Sequence, residues 1–278
     1  EDTERRGDRQ ARAAPARSAP RYTRAVAQPV LLLTNDDGYY SEGIQALADA
    51  LESLGEVWIV APDRENSAVS HALTLSRPLR LNRMADRRFI VDGTPTDCVT
   101  LGICQVLKGR TPDLVVSGVN FGANMGVDVH YSGTVSAAFE AVILGVKAIA
   151  VSQVLGEPFS FVPAAHFARV LAARVLRNGL PEGTLLNVNF PPVPPKGVQF
   201  TRLGERCYTE GVVEDTDPRG RRCYWIGGGP PVWEDIPGTD FATVGAGYVS
   251  ITPLHLDMTD RDLLARLKHD GAWDLGGA

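Results

Sequence analysis

Long apolar runs are missing from this chain. No stretch of its 278 residues approaches the ~20 apolar residues that a membrane-crossing helix needs, so no transmembrane helix is expected. Cysteine is scarce: Cys98, Cys104, Cys207 and Cys223 are the only four. They form no CxxC pair and no zinc spacing, which excludes a zinc module and leaves any metal to hard oxygen ligands. Reduced, buried thiols of a cytoplasmic protein are the expectation, with a pairing of Cys207 and Cys223 across a hairpin as the alternative. A Walker loop is absent because no glycine-rich turn ends in Lys-Ser or Lys-Thr. The dinucleotide glycine fingerprint is absent after the first strand, which argues against a Rossmann oxidoreductase. Excess positive charge is also lacking. The net charge is −5, and residues 1–29 carry seven Arg against four acids, or +3, so the remainder carries −8. Such an acidic body argues against gripping a nucleic-acid polymer. It leaves room for a small phosphorylated substrate, because a bound cation reverses the local field.

What is present is an alternation of strands and helices. Residues 1–29, rich in Arg, Ala and Pro with no hydrophobic period, read as a flexible extension. They lack the apolar centre of a secretory signal. From Val30 the apolar segments VLLLT, EVWIVAP, DLVVSG, AIAVS and LLNVNFP predict buried strands. Residues 73–92 predict a β excursion, and helices are expected over 43–55, 94–109, 134–145 and 163–178. Thr94, Pro95 and Asp97 have the spacing of a capped helix start. The fold class is therefore α/β: a Rossmann-like, mostly parallel sheet with helices on both faces, with residues 30–200 as its core. Residues 201–278, dense in Gly, Pro and aromatics before a late strand, predict a β-rich arm and a terminal helix, suited to oligomerisation.

In an open parallel sheet, ligands bind beyond the carboxyl ends of the strands. The first strand is followed by Asn35, Asp36, Asp37 and Gly38. Behind the second stand Asn66, Ser67, Ser70 and His71, and behind the third Asn120, Asn124, Ser132, Gly133 and Thr134. Adjacent carboxylates repel unless a positive charge lies between them. Asp36 and Asp37, with neutral oxygens from Ser67 and Asn120, are a hard-cation set for Mg2+, Mn2+ or Ca2+. Taken singly, each of these residues fits an ordinary turn; together they fit a site. The Ser132-Gly133-Thr134 turn opening a helix could cradle a phosphate, or merely cap the helix. His71 and His130 are candidates for a leaving-group acid, and Glu140 reads as structural.

These segments resemble the SurE family, the survival proteins described as metal-dependent nucleotide phosphatases. The resemblance rests on LLTNDDG, APDRENSAVSHALTL, GTPTDCVTLG, PDLVVSGVNFGANMG and YSGTVSAA, and later on PGTDFATV and YVSITPLHLD. It spans about residues 30–260 in order. The resemblance implies a Rossmann-like domain with a dimerising C-terminal arm, forming homodimers and sometimes tetramers. It also implies hydrolysis of nucleoside 5′- and 3′-monophosphates, with polyphosphate as a side substrate. One divalent ion per subunit would sit on Asp36, Asp37, Ser67 and Asn120, with Asp36, Asp37 and Asn120 catalytic. Phosphate would meet Asn124, Ser132, Gly133 and Thr134, with Ser70 nearby. Two departures bear on substrate fit. YYSE replaces the Ala-Pro loop common after the first glycine, and Lys147 stands where proline is frequent. The competing function is a non-catalytic nucleotide sensor on the same fold, which would not require the paired carboxylates.

Overall fold

The computed structural model describes residues 28–157, 159–192, 194–207, 211–226 and 232–269. Nearly all of the expected N-terminal extension lies outside them, as does Tyr208. The strands of the core are β1 (Val30–Thr34), β2 (Glu56–Pro62), β3 (Leu81–Ala85), β4 (Arg88–Val91), β5 (Leu114–Phe121), β6 (Ala148–Gln153), β7 (Thr184–Phe190) and β8 (Val198–Phe200). Four helices pack on them: α1 (Glu42–Leu51), α2 (Pro95–Leu101), α3 (Gly133–Ile143) and α4 (Val162–Asn178). Short strands β9 (Arg206–Cys207), β10 (Val212–Thr216), β11 (Arg222–Ile226) and β12 (Val232–Trp233) follow. Helix α5 (Asp240–Gly245), strand β13 (Val249–His255) and helix α6 (Arg261–His269) complete the described residues.

Nine strands share one sheet in the order β3-β4-β2-β1-β5-β6-β7-β13-β8. From β4 to β7 every neighbouring pair is parallel, while β3 and β13 run against their neighbours β4 and β7. Strand β1 shows why both faces are covered. Leu31 and Leu33 point into a cluster with Ile44 and Leu47 of α1 and Ala165 and Ala168 of α4. Val30 and Leu32 point the other way, to Val99 of α2 and Val135 and Ala138 of α3. Period-two alternation in an all-apolar strand thus serves two cores. Each fully buried leucine contributes about 2 kcal/mol to holding the layers together. The winding reverses at β1, because β2 lies on one side of it and β5 on the other. The crevice at the carboxyl ends of β1 and β5 is therefore the topological switch point.

Two features of the structure bear on the sequence expectations. The division at residue 200 does not end the sheet: β13 inserts between β7 and β8, burying Val249, Ile251 and Leu254. Core material thus lies on both sides of the arm. The thiols Cys98, Cys104 and Cys223 are free, and only Cys98 is buried. Cys223 lies across from Asp215 and Cys207 from Val232, so the hairpin register does not bring the two cysteines opposite each other. Among the described residues, no helix is long and apolar enough to cross a membrane.

The predicted cap of α2 forms as a reciprocal box. The Thr94 hydroxyl accepts the Asp97 N–H at 3.1 Å, and Asp97 Oδ2 accepts the Thr94 N–H at 2.9 Å. Asp97 Oδ1 also accepts the Thr74 N–H at 2.9 Å, tying down the loop after β2. Asp97→Ala is expected to cost about 2 kcal/mol, a lost cap plus an unpartnered donor. Urea unfolding should show a lower midpoint at unchanged slope.

Candidate active site

The turn after β1 is built by Asn35, whose Nδ2 donates to the Gly38 carbonyl at 3.0 Å and to Ser41 Oγ at 2.7 Å. The Asp36 carbonyl accepts the N–H of Asn66 at 2.8 Å, which brings in the loop after β2. Strand β5 contributes Asn120 beyond a register shift against β6. Three strand ends therefore meet in the switch-point crevice.

Asp36 is buried beneath the start of α3. Thr134 donates its hydroxyl to Asp36 Oδ1, and its N–H also favours the charged carboxylate. The approach is close because residue 133 is glycine: a Cβ there would stand 2.8 Å from Asp36 Cβ. The Thr134 hydroxyl also lies 3.2 Å from Asn120 Oδ1. A hydroxyl has one proton, yet two acceptor oxygens crowd it. Asp37 is held by the Phe121 N–H, 3.2 Å from its Oδ2. Burial, and then the charge of Asp36, push the Asp37 carboxyl up to about 6. Burial likewise raises Asp36 against the pull of Thr134, and Glu65 adds further negative charge beside both. Surplus oxygen acceptors and uncompensated negative charge are what a hard cation would relieve. Among the described residues, no three His, Cys, Asp or Glu side chains form a ligand cluster. The set that fits a cation here has two acids and neutral oxygens.

The remaining expected residues fall into different surroundings. Ser67, one residue beyond Asn66, is exposed and donates to Glu65 Oε1 at 2.8 Å. Ser132 is the N-cap of α3, its Oγ accepting the Val135 N–H at 3.0 Å. Ser70 donates to the His130 carbonyl at 2.5 Å, stapling two loops together. Asn124 is turned into the protein. Its Nδ2 donates to Ser152 Oγ at 2.8 Å, its N–H to Asn189 Oδ1, and its carbonyl accepts from Asn187 and Asn189. This clamps the loop and uses one of the two protons of the Asn124 Nδ2. His71 Nε2 lies 3.0 Å from Glu140 Oε2, while Glu140 Oε1 accepts from Thr100 at 2.9 Å. Glu140 is thus structural, and only Nδ1 of His71 remains for other partners. The His130 side chain is exposed.

Four residues were not singled out from sequence. Asn187 and Asn189 sit two apart on β7, both fully buried. Two amides on one face of a central strand are costly unless paired, and that pattern was the available signal. Glu65 gave no signal, being one of several charges in a loop. Asp240, on α5, accepts N–H groups from Gly126, Gly204 and Phe241, each at 2.8 Å. It pins the loop after β5 from the C-terminal side.

Fold and crevice define the class: a Rossmann-like, mostly parallel α/β protein with paired carboxylates at its switch point. The family model described as survival protein SurE matches residues 31–210, and the chain belongs to that family. A 5′-nucleotidase SurE of Anaeromyxobacter sp. (strain Fw109-5) is 55% identical over 249 residues, covering 89% of this chain and 96% of the relative. A 5′-nucleotidase SurE of Myxococcus xanthus (strain DK1622) is 52% identical over 89% of this chain and 94% of its own length. The crystal structure of a SurE protein from Aquifex aeolicus superposes with a TM-score of 0.77 at 45% identity, covering 86% of this chain and 98% of that one.

Thr134→Ala should weaken Mn2+ binding about tenfold, because the bonds that orient a ligand carry that much of a site's affinity. Thr134→Ser should restore it. Calorimetric titration with Mn2+ checks both; unchanged affinity in the alanine variant would confine the hydroxyl to helix stability.

Proposed function

We propose that this protein is a divalent-metal-dependent phosphomonoesterase that hydrolyses nucleoside 5′-monophosphates to nucleoside and phosphate. The 5′-nucleotidase names of its relatives support the substrate class. The observation that carries the chemistry is the crowding of Asp36 and Asn120 oxygens around the single proton of Thr134, at the switch point. A nucleotide sensor on this fold would have no use for a strained pair of carboxylates. Side activities towards 3′-monophosphates and polyphosphate, implied by the resemblance, find no separate support in the geometry.

Asp36, Asp37, Ser67 and Asn120 would hold one Mg2+, Mn2+ or Ca2+ ion per subunit. When bound, such an ion polarises a phosphoryl oxygen and lowers the pKa of a water ligand. The protein's own groups do the positioning. Thr134 fixes Asp36, and the Phe121 N–H fixes Asp37. Ser132 accepts a hydrogen bond from Val135, so its own proton stays available for a phosphoryl oxygen. Gly133 lets the positive end of the eleven-residue helix α3 approach the same place. These donors would stabilise charge on the equatorial phosphoryl oxygens.

The arm is our proposed homodimer contact. Its ribbon, β10 with β11, is a two-stranded sheet apart from the main one, and such a ribbon is marginal by itself in water. Trp225 is 64% and Ile226 94% exposed there, and Tyr224 and Val212 are exposed beside them. Aromatic and aliphatic side chains of this kind anchor interfaces. The free thiols fit a reducing compartment, and we place the protein in the cytoplasm.

Asp36→Asn keeps the shape of the site and removes a charge. It should fold normally and lose phosphate release from adenosine monophosphate by on the order of a hundredfold. Excess chelator should abolish release by the intact protein. Full activity in either case would refute the metal reading. For the arm, light scattering coupled to size exclusion should show a dimer at micromolar concentration, and a monomer once residues 207–235 are removed. A monomeric intact chain would make the arm a cover for its own domain.

A further inference from the structure

Helix α4 carries Arg169, Arg174 and Arg177 and no acid, although the chain beyond residue 29 sums to −8. Its inner side is apolar, with Ala164, Ala165, Ala168, Leu171, Ala172 and Val175 buried in the core. The arginines lie on the outer side, where Arg174 and Arg177 are exposed and Arg169 is half-buried. Between them stand Val170, 44% exposed, and the half-buried Ala173. These five residues and Asn178 line one shallow depression. Val162, two turns before Val170, is 53% exposed and extends the apolar strip.

Arginines elsewhere on the surface find acids. Arg110 meets Glu56 at 2.8 Å, Arg221 meets Asp217 at 2.8 Å, and Arg77 and Arg80 share Asp92. Among the described residues, Arg169, Arg174 and Arg177 form no ion pair or hydrogen bond through their guanidinium groups. Arg177, in the last turn, is favoured there by the helix dipole. That reason does not reach Arg169 or Arg174. Lys147 stands where proline is frequent in the family. Its Cε lies 4.0 Å from where a Cβ on Gly179 would be, so it adds a fourth cation at the carboxyl end of the helix. An apolar strip edged by arginines has the composition of a protein interface.

We propose that the outer face of α4 docks an acidic amphipathic helix of another protein. Charge complementarity gives the sign of the partner, and the valines give its kind. A phosphate polymer would pair with the guanidinium groups and leave Val162 and Val170 in water. A helix meets both needs. Its own rise of about 1.5 Å per residue sets carboxylates to match Arg169 and Arg177, which lie about 12 Å apart along α4. Apolar residues between those carboxylates then pack on Val170 and Ala173. Arginine suits such a contact because its planar fork meets a carboxylate through two parallel N–H groups. An exposed interface of this size is weak and fades with salt. Helix α4 starts from the carboxyl end of β6 and returns to the amino end of β7. Its arginine-bearing half therefore runs away from the crevice, and docking there tethers the protein without blocking the site. The inference is independent of the nucleotidase reading.

The probe is a fluorescein-labelled helical peptide whose glutamates flank a leucine stripe, followed by anisotropy with the full chain. It should bind at low salt and weaken at physiological ionic strength; no binding, or an affinity indifferent to salt, would overturn the proposal. The triple variant Arg169→Gln, Arg174→Gln, Arg177→Gln should lose about tenfold, the combined worth of three exposed ion pairs. Its melting temperature and phosphate release should stay unchanged. Equal affinity in that variant, or for a peptide with glutamine in place of glutamate, would also sink the idea. Val170→Ser leaves every charge in place and should weaken the peptide several-fold through lost apolar contact. Undiminished affinity there would make the face a general polyanion site and overturn the choice of a helix. Light scattering should give the same mass for the intact protein and the triple variant; a lower mass for the variant would assign the face to a second copy of this chain instead.

Discussion

Burial works against the charge of Asp36, and much of this molecule is arranged to bring a hydrogen-bond donor to it all the same. The residue is 5% exposed, so water does little for it. Its partner is Thr134, 98 residues further along the chain. The contact forms only because β5 lies beside β1 and delivers α3 to the crevice, and because Gly133 has no side chain to hold the helix off. Parallel pairing, helix placement and glycine identity all converge on one oxygen atom. The same contact draws Asn120 into range. Weakening it would loosen the first turn of α3 and the end of β5 together.

The two cores flanking the sheet explain why this arrangement is rigid enough to function. Helices α1 and α4 grip one face of β1 and helices α2 and α3 the other. Neither carboxylate can relax by moving its strand. Asp36 and Asp37 are thereby held side by side, where burial and then the charge of Asp36 push the Asp37 carboxyl up to about 6.

Much of this was readable along the chain, and what was not has identifiable causes. Strands β1, β2, β5, β6 and β7 announce themselves as short apolar runs, and the α2 cap is a local pattern of three residues. Asp36, Asp37 and Asn120 follow from the rule that parallel sheets bind ligands at their carboxyl ends. Strand order does not follow, since parallel partners carry no turn between them to record the pairing. Strand β13 was legible as a strand but not as a member of the main sheet, because its partners β7 and β8 precede a long arm. Asn124 illustrates the limit at single-residue scale. Its neighbours in sequence suggest a ligand loop, and the bonds that join its amide to Ser152 and its backbone to Asn187 and Asn189 reach distant residues that only the folded sheet brings near. Asp240 carries no such mark, as nothing local indicates that it collects N–H groups from two separate loops.

The position of Asp240 has a consequence for biosynthesis. The loop carrying Asn124 and Gly126 is clamped from beyond the arm, and β13 completes the sheet only after residue 255. A nascent chain that has emerged as far as β7 has translated both acidic residues and the α3 helix, yet lacks the clasp that sets the loop between them. The Asp240 bond to Gly126 therefore forms only when nearly the whole polypeptide is available. A chain ending within the arm would carry Asp36, Asp37, Ser67 and Asn120 and the Asn187 and Asn189 bonds to Asn124, but not the Asp240 bond to Gly126.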